Sequence, residues 1–436
     1  MHDLHDFVTF VLVTDPVPLP IRRRITVTLT RRSFLSITAV AATLTAAVVY
    51  GSDSGGASSA SGNNLIIWAD QKKADSLTEF AKKWGEQQGI TVTVQTVAND
   101  LQSNFITANQ AGNGPDVVLG AHDWIGNLVQ NGSILPIALS AEARANYTDI
   151  ALRAVTYEGQ TYAAPYAVEC VSLFVNKDLT QVTAPTTIEE LIAAGKAAGT
   201  EVILSLPVGE KGDAYNMEPI YTAGGGYLFG KDANGGYLAG DLGVGGEGSI
   251  AAAKKIGALG AEGVLRNSIT GDNAISLFTG GKAPYLVSGP WALGDIKKAG
   301  INYTIAKIPG FGDIEGSTAT PFAGVNCFYV ASKGKNRAFA ETLVADVAKD
   351  SSFAEAMFPL NELPPAQKDL ADKLKSSNPD MVTISEFAAA ADPMPAIPAM
   401  SAVWQPLGLA QANIVKGADP EQTMRSAGEE IKRNIG

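Results

Sequence analysis

The chain has 436 residues, of which 46% are hydrophobic and 18% are charged, so it can form two or three domains with sizeable buried cores. Its 33 Lys and Arg against 44 Asp and Glu give a formal net charge of −11, which argues against nucleic-acid binding. Of its 3 His, His2 and His5 lie in a leader that we expect to be removed, so the mature chain keeps His122 and 2 distant Cys. These are too few for a zinc site built from Cys and His, and we expect neither a metal nor another cofactor.

The first 64 residues are predicted to be an export signal followed by a flexible tether. Thr30–Leu35 contains Arg31 and Arg32 and resembles a twin-arginine export motif. The apolar run over residues 37–50 is too short and too polar for a typical transmembrane helix, and the Gly- and Ser-rich stretch over 51–61 is typical of a flexible linker. We therefore expect a location outside the cytoplasm, at the cell surface or in the periplasm, associated with the outer face of the cytoplasmic membrane.

After the leader, short apolar runs and one amphipathic pattern predict a doubly wound α/β unit. The predicted strands cover residues 65–69, 90–95 and 116–120. Between the first two strands, apolar side chains recur at helical spacing before Gly89. They are Leu77, Phe80, Ala81 and Trp84. A strand, a helix and a strand at this spacing predict parallel strands joined by a right-handed crossover.

Polar side chains follow two of these strands, at the point where each strand ends. Asp70 and Lys72 come directly after the first strand, and Asp123 and Trp124 come after the third. In open parallel sheets, ligands bind beyond the carboxyl ends of the strands. The sequence therefore places carboxylate, ammonium and indole groups at one edge of the sheet.

A second α/β unit is predicted to begin with a strand over residues 171–175. Thr187 as N-cap, with Glu190 three residues later, predicts a helix over 188–198. Residues 243–248 match the G-x-G-x-x-G fingerprint of nucleotide-binding enzymes. The Gly-rich segment before them makes a poor core strand, so a turn that precedes a helix is favoured over a nucleotide site.

Seven segments of the chain occur in the order of one protein family. They are residues 114–123, 166–169, 175–179, 225–227, 288–291, 321–325 and 394–404. On these segments the chain resembles the extracytoplasmic solute-binding proteins of ABC sugar importers, in particular the maltose/maltodextrin-binding proteins. Each segment alone has low specificity, whereas their shared order from Leu65 to Gly436 has high specificity.

The resemblance implies a two-lobed α/β fold of the periplasmic-binding-protein type II class, in which each lobe is a mostly parallel sheet flanked by helices. Closure of the lobes about a hinge traps the ligand in this family. The predicted N-terminal lobe covers residues 65–168 and 328–373, and the C-terminal lobe covers 172–322 and 380–436. The hinge is predicted near residues 169–171, 323–327 and 374–379.

The resemblance also implies an oligosaccharide ligand, with a maltose or maltodextrin type of α-glucoside favoured. Aromatic rings stack on the apolar faces of sugar rings, and charged groups bind their hydroxyls. The aromatic residues expected at the site are Trp124, Tyr215, Trp291 and Trp404. The charged residues expected there are Asp70, Lys72, Asp123, Glu169 and Asp213.

Three positions depart from the family pattern. Maltose-binding proteins often have a tryptophan before the Ala-His-Asp sequence and an arginine after it, whereas this chain has Gly120 and Trp124. One indole is thus lost before the motif and another is gained after it, so the position that stacks on the sugar is expected to shift. This shift affects the predicted length and linkage of the sugar more than its class. Similar leaders often carry a lipidated cysteine where this chain has Tyr50, so a lipid anchor is not predicted.

The two cysteines, Cys170 and Cys327, fall on neighbouring hinge strands according to the resemblance. An exported chain meets an oxidising compartment, so a disulfide that clamps the hinge is one alternative. Two small buried thiols are the other alternative and the favoured one.

These features predict a monomeric, non-catalytic receptor that delivers its oligosaccharide to the membrane permease of an ABC transporter. An exported enzyme that acts on glycosides through carboxylates such as Glu169 and Asp123 is one alternative. A binding protein for another solute is the other. A free amino acid is disfavoured, because its carboxylate needs an arginine clamp and no arginine occurs between Arg153 and Arg266.

Overall fold

The computed structural model describes residues 63–233 and 235–435, so the predicted export motif at 30–35 lies outside the described residues. The strands are β1 (Asn64–Ala69), β2 (Thr91–Thr96), β3 (Val117–Ala121), β4 (Thr156–Tyr157), β5 (Gln160–Thr161), β6 (Ala164–Glu169), β7 (Ser172–Asn176), β8 (Leu204–Ser205), β9 (Phe229–Lys231), β10 (Tyr237–Leu242), β11 (Tyr285–Ser288), β12 (Tyr303–Ala306), β13 (Phe322–Val330) and β14 (Asp392–Pro393).

The helices are α1 (Gln71–Gln88), α2 (Leu101–Gln110), α3 (Ile125–Gln130), α4 (Ala141–Asn146), α5 (Asp149–Ala154), α6 (Ile188–Ala197), α7 (Ala214–Ala223), α8 (Glu247–Ala261), α9 (Ala274–Thr279), α10 (Leu293–Lys298), α11 (Arg337–Lys349), α12 (Ser352–Asn361), α13 (Lys368–Leu374), α14 (Pro379–Ala389), α15 (Trp404–Val415) and α16 (Pro420–Ile435). Within the part of the chain that the structure describes, no helix combines the length and the apolar character needed to cross a membrane.

The first sheet contains the three strands predicted at the start of the body. Its order is β2-β1-β3-β13, and both β6 and β14 also pair with β13. β1 runs parallel to β2 and to β3, as the strand and helix spacing predicts. β13 runs antiparallel to β3 and to β6, and all of its residues are buried. Each predicted strand is confirmed to within one residue at either end.

Helix α1 begins and ends where the local sequence predicts. The Asp70 carboxylate accepts a hydrogen bond from Lys73 N at 3.0 Å, which satisfies one of the free N–H groups at the start of the helix. Leu77 and Ala81 are buried in the core. Gly89 ends the helix at φ 72°, a conformation that glycine adopts without strain. Asp70 therefore begins α1 and also marks the carboxyl end of β1.

The second sheet has the order β12-β7-β11-β8. The predicted α/β class with sheets flanked by helices is confirmed. This sheet is mixed, however, and not mostly parallel as predicted. β7 runs antiparallel to both of its neighbours, and one pair, β11 with β8, is parallel. The chain passes from β6 of the first sheet to β7 of the second through Cys170 and Val171 alone.

Two further local predictions are confirmed in the second unit. The helix predicted from its capping box is α6, in which Thr187 Oγ1 accepts a hydrogen bond from Glu190 N at 3.1 Å. The Glu190 carboxylate accepts from Thr186 N at 2.7 Å, so a second backbone donor is satisfied there. The G-x-G-x-x-G stretch at 243–248 forms a turn and the first residues of α8.

Cys170 and Cys327 are both buried and both free. The favoured prediction of two buried thiols is thus confirmed, and the alternative of a hinge disulfide is wrong. Burial raises the pKa of the Cys170 thiol to about 12, because a thiolate is disfavoured away from water. The thiol is therefore uncharged at neutral pH.

Candidate functional site

Two turns of similar construction follow the carboxyl ends of β3 and β11. Each contains a short 3₁₀ helix, at His122–Trp124 and at Pro290–Ala292. In each turn the indole lies over a glycine. A Cβ atom at Gly120 would be 2.2 Å from the Trp124 ring, and one at Gly289 would be 2.1 Å from the Trp291 ring. Any side chain at Gly120 would therefore displace Trp124, so the glycine makes room for the indole that follows it.

Four aromatic side chains lie in contact near the turn that follows β11. This aromatic cluster consists of Tyr215, Trp291, Phe322 and Trp404. The Tyr215 ring centroid is 6.3 Å from that of Trp291 and 6.4 Å from that of Phe322. The Phe322 ring meets Trp404 edge to face at 6.0 Å. The structure thus brings together three of the four aromatic residues expected at the site, Tyr215, Trp291 and Trp404. It adds Phe322, which the sequence offered only as part of the 321–325 segment.

Asp123 connects the turn after β3 to the aromatic cluster. Trp404 Nε1 donates a hydrogen bond to Asp123 Oδ2 at 3.3 Å. The other carboxylate oxygen, Oδ1, is buried without a hydrogen-bond partner among the described residues. Burial raises the pKa of Asp123 to about 6, because the charged form loses its hydration. The free oxygen is suited to accept a hydrogen bond from a ligand hydroxyl.

His122, next to Asp123, holds the turn in place. Val325 N donates to Nδ1 at 3.0 Å, so Nε2 carries the proton and donates to the Met394 carbonyl oxygen at 3.1 Å. Burial lowers the pKa of His122 to about 4, and the ring is neutral at pH 7. Both ring nitrogens are occupied by the backbone. His122 is therefore a structural residue held by two backbone hydrogen bonds.

Glu169 lies at the end of β6, beside Asn326 of β13. Asn326 Nδ2 donates to Glu169 Oε2 at 3.0 Å, and no pattern in the sequence pointed to this amide. Burial raises the pKa of Glu169, while the charge of Lys73 and the Asn326 hydrogen bond act against that rise. Lys73 also forms an ion pair with Asp70. Lys73 therefore supplies positive charge to the Glu169 carboxylate, and the negative charge of Asp70 partly offsets it.

Lys72 connects the end of β1 to the turn after β11. Its Nζ donates to the Trp291 carbonyl oxygen at 3.2 Å, and thus joins the first sheet to a residue of the aromatic cluster. Burial lowers the pKa of Lys72, whereas the carboxylates of Asp295 and Glu362 act in the opposite direction. An ammonium group held here can donate to a ligand as well as to the backbone.

Two predicted site residues have mainly structural contacts. Asp213 is the N-cap of α7, and its carboxylate oxygens accept from Asn216 N at 3.0 Å and from Asn216 Nδ2 at 2.8 Å. It therefore orients the helix that carries Tyr215. The Trp124 indole packs against the first core, whereas the aromatic cluster packs on the second.

The chemistry of this region is that of ring stacking and hydroxyl binding. It combines aromatic faces with buried carboxyls, an amide and ammonium groups. Within residues 63–233 and 235–435, no group of three or more His, Cys, Asp or Glu side chains is placed to hold a metal ion. Such a surface suits a neutral ligand that has apolar faces and many hydroxyl groups.

Comparison with known proteins identifies one family and several relatives. Residues 79–384 match the family described as bacterial extracellular solute-binding protein. The chain is 31% identical to a galactooligosaccharide-binding protein of Bacillus subtilis, over 87% of this chain and 91% of that protein. It is 28% identical to a maltodextrin-binding protein of the same bacterium, over 85% and 90% of the two chains. It is also 28% identical to a maltooligosaccharide ABC transporter solute-binding lipoprotein of Streptococcus pneumoniae, over 86% and 90%.

Proposed function

Because the chain belongs to the family of bacterial extracellular solute-binding proteins, we propose that it binds an oligosaccharide between its two main sheets and delivers it to the permease of an ABC importer. The observation that carries the proposal is the aromatic cluster with the buried Asp123 carboxyl at its edge. Sugar rings stack on the aromatic faces, and their hydroxyls donate to the free carboxyl oxygen.

A maltodextrin type of α-glucoside is the first candidate ligand, and a galactooligosaccharide is the second. The sequence resemblance and two of the relatives, named for maltodextrin and maltooligosaccharide, support the first. The relative with 31% identity, named for a galactooligosaccharide, supports the second. Both ligands are neutral chains of sugar rings, so both use the same aromatic and carboxyl groups.

The two sheets belong, in this proposal, to two lobes with the boundaries predicted from the sequence, except at the third connecting segment. Contacts from Lys72 to Trp291 and from Trp404 to Asp123 support a cleft between them. Helix α14 packs on β6, β13 and β12, so the third connecting segment extends from 374–379 into this helix. A ligand that binds the closed form more tightly than the open form favours closure. The closed chain, a monomer without catalytic activity, presents both lobes to the permease outside the cytoplasm.

Isothermal titration calorimetry of the full chain tests this function. Maltose, maltotriose, longer dextrins and galactooligosaccharides are titrated separately, and saturable heat is expected with at least one series. Absence of heat with all of them contradicts the proposal. Chromatography of the same mixtures after incubation provides the control. Shortened oligosaccharides would show that the protein cleaves its ligand, and would favour the alternative of a glycoside-acting enzyme over that of a receptor.

The affinity for the oligosaccharide is expected to fall about tenfold between pH 7 and pH 5. Burial gives Asp123 a pKa of about 6, and ligand hydroxyls donate to its ionised form. Ligand binding therefore releases a proton near this pKa, so affinity rises with pH up to about 6 and is constant above it. His122 has a pKa of about 4 and remains neutral throughout the window.

Calorimetry at pH 5, 6 and 7 measures this dependence, with Asp123→Asn as the control. The variant binds more weakly at pH 7 and has a smaller pH dependence. A residual slope is expected, because burial also raises the pKa of Glu169. Equal dissociation constants for the native chain at pH 5 and 7 would show that Asp123 does not accept from the ligand in its ionised form.

A further inference from the structure

A cavity of about 260 Å³ lies beside the aromatic cluster. It is enclosed by helix α7, the β9–β10 hairpin and the segments around residues 318–322 and 392–395. Phe322 lines this cavity and also packs against Tyr215 and Trp404. The Phe322 ring therefore lies between the cavity and the rest of the aromatic cluster.

Glu218 lines the cavity and is 3% exposed. Its Oε2 atom is buried and has no hydrogen-bond partner in the described part of the chain. The nearby Thr222 hydroxyl donates to the backbone carbonyl of Glu218 at 2.9 Å. Burial raises the pKa of Glu218 well above its usual range, because the charged form loses its hydration. Buried polar groups normally have partners, and an unpaired one beside a cavity indicates a partner from outside the chain.

The charged groups at the rim of the cavity already have partners. Lys231 Nζ is 2.6 Å from Asp392 Oδ2 and lies over the Tyr237 ring, 5.1 Å from its centroid. The Tyr237 hydroxyl donates to the Pro393 carbonyl oxygen at 2.9 Å. Lys231 and Asp392 are paired with each other, and burial disfavours the charged form of Glu218, so the cavity is poorly suited to an ionic ligand. It offers a buried carboxyl group with a free oxygen, which can bond to the hydroxyls of a neutral ligand.

The cavity is one helical turn from the predicted stacking position. Tyr215 and Glu218 are three residues apart on α7, which places them about 4.5 Å apart along the helix axis. The apolar walls beside Glu218 include Tyr227 and Phe322. The cavity therefore combines aromatic walls with the Glu218 carboxyl. This is the same combination, on a smaller scale, as the aromatic cluster with Asp123.

We propose that this cavity is a further subsite that takes one neutral pyranose ring at the end of a longer oligosaccharide, with Glu218 bonded to its hydroxyls. The inference rests on the proposed function and adds a determinant of ligand length to it. A disaccharide fills the space at the aromatic cluster alone, whereas longer chains reach Glu218.

Calorimetry with a disaccharide and a tetrasaccharide of the same series tests the subsite. Glu218→Met is expected to bind the disaccharide like the native chain and the tetrasaccharide at least tenfold more weakly. It is also expected to unfold at a higher temperature, because it removes an unpaired buried carboxyl. Glu218→Gln keeps a donor and an acceptor and is expected to lose severalfold in tetrasaccharide affinity alone, which preserves the test if the methionine variant does not fold.

Glu430→Met is the matched control, since Glu430 is exposed on α16 and neither affinity is expected to change. The subsite is contradicted if both Glu218 variants bind the tetrasaccharide as tightly as the native chain does. It is also contradicted if a variant loses the same factor of affinity for the disaccharide and for the tetrasaccharide. These results leave the proposed function standing if the native chain binds sugar. A native chain that binds no oligosaccharide contradicts the proposed function and the subsite together.

Discussion

Replacing Trp404 with alanine is expected to weaken oligosaccharide binding at least tenfold, which corresponds to about 1.4 kcal/mol. The indole packs edge to face on Phe322 at 6.0 Å, and its Nε1 donates to Asp123. The variant therefore loses a stacking face and the group that positions a hydroxyl acceptor. Trp404 is only partly buried, so the folded state is expected to persist. Calorimetry with the best ligand measures the loss, and thermal unfolding measures the integrity of the fold.

Two variants separate the causes of this effect. Trp404→Phe keeps an aromatic face without the Nε1 donor and is expected to retain most of the affinity if stacking dominates. Trp68→Ala is the control at another partly buried tryptophan, whose Nε1 donates to Gln95 Oε1 at 2.7 Å within the first sheet. Its dissociation constant is expected to match that of the native chain. An unchanged dissociation constant in Trp404→Ala refutes the stacking role.

Replacing Asp116 with alanine is expected to lower the free energy of unfolding by roughly 2–6 kcal/mol, because two backbone donors lose their acceptor at about 1–3 kcal/mol each. Asp116 is 2% exposed. Its carboxylate accepts from Ile66 N at 2.8 Å and from Asn336 N at 2.7 Å. It thus ties β1 to the residue before α11. Urea unfolding followed by circular dichroism measures the loss as a shift of the midpoint to lower urea.

Asp372→Ala is the control for this prediction. Asp372 has an exposed ion pair with Lys375 at 2.9 Å, and such pairs contribute about 0–1 kcal/mol. Its urea midpoint is therefore expected to stay close to that of the native chain. If Asp116→Ala unfolds at the same urea concentration as Asp372→Ala, the two buried backbone bonds do not stabilise the fold as argued.

Elements defined by short-range interactions could be predicted from the sequence. Helix α6 begins at its predicted N-cap because Thr187 and Glu190 interact three residues apart. The strands of the first sheet follow from their apolar runs. For the site, only residue types and chain order were available, and the family resemblance selected Tyr215, Trp291 and Trp404. Their mutual contacts, and the entry of Phe322 between them, were not visible in any local pattern.

By itself, therefore, the sequence determined the α/β class and the positions of helices and strands near the site. These depend on periodicity, capping and composition, which act over a few residues. The aromatic and carboxyl residues of the site were selected by the family resemblance. Only the tertiary structure decided that the second sheet is mixed, that Trp404 reaches Asp123, and that Glu218 Oε2 has no hydrogen-bond partner among the described residues. The physical reason is distance along the chain: Asp123 and Trp404 are separated by 281 positions, and only the packing of the sheets brings such residues together.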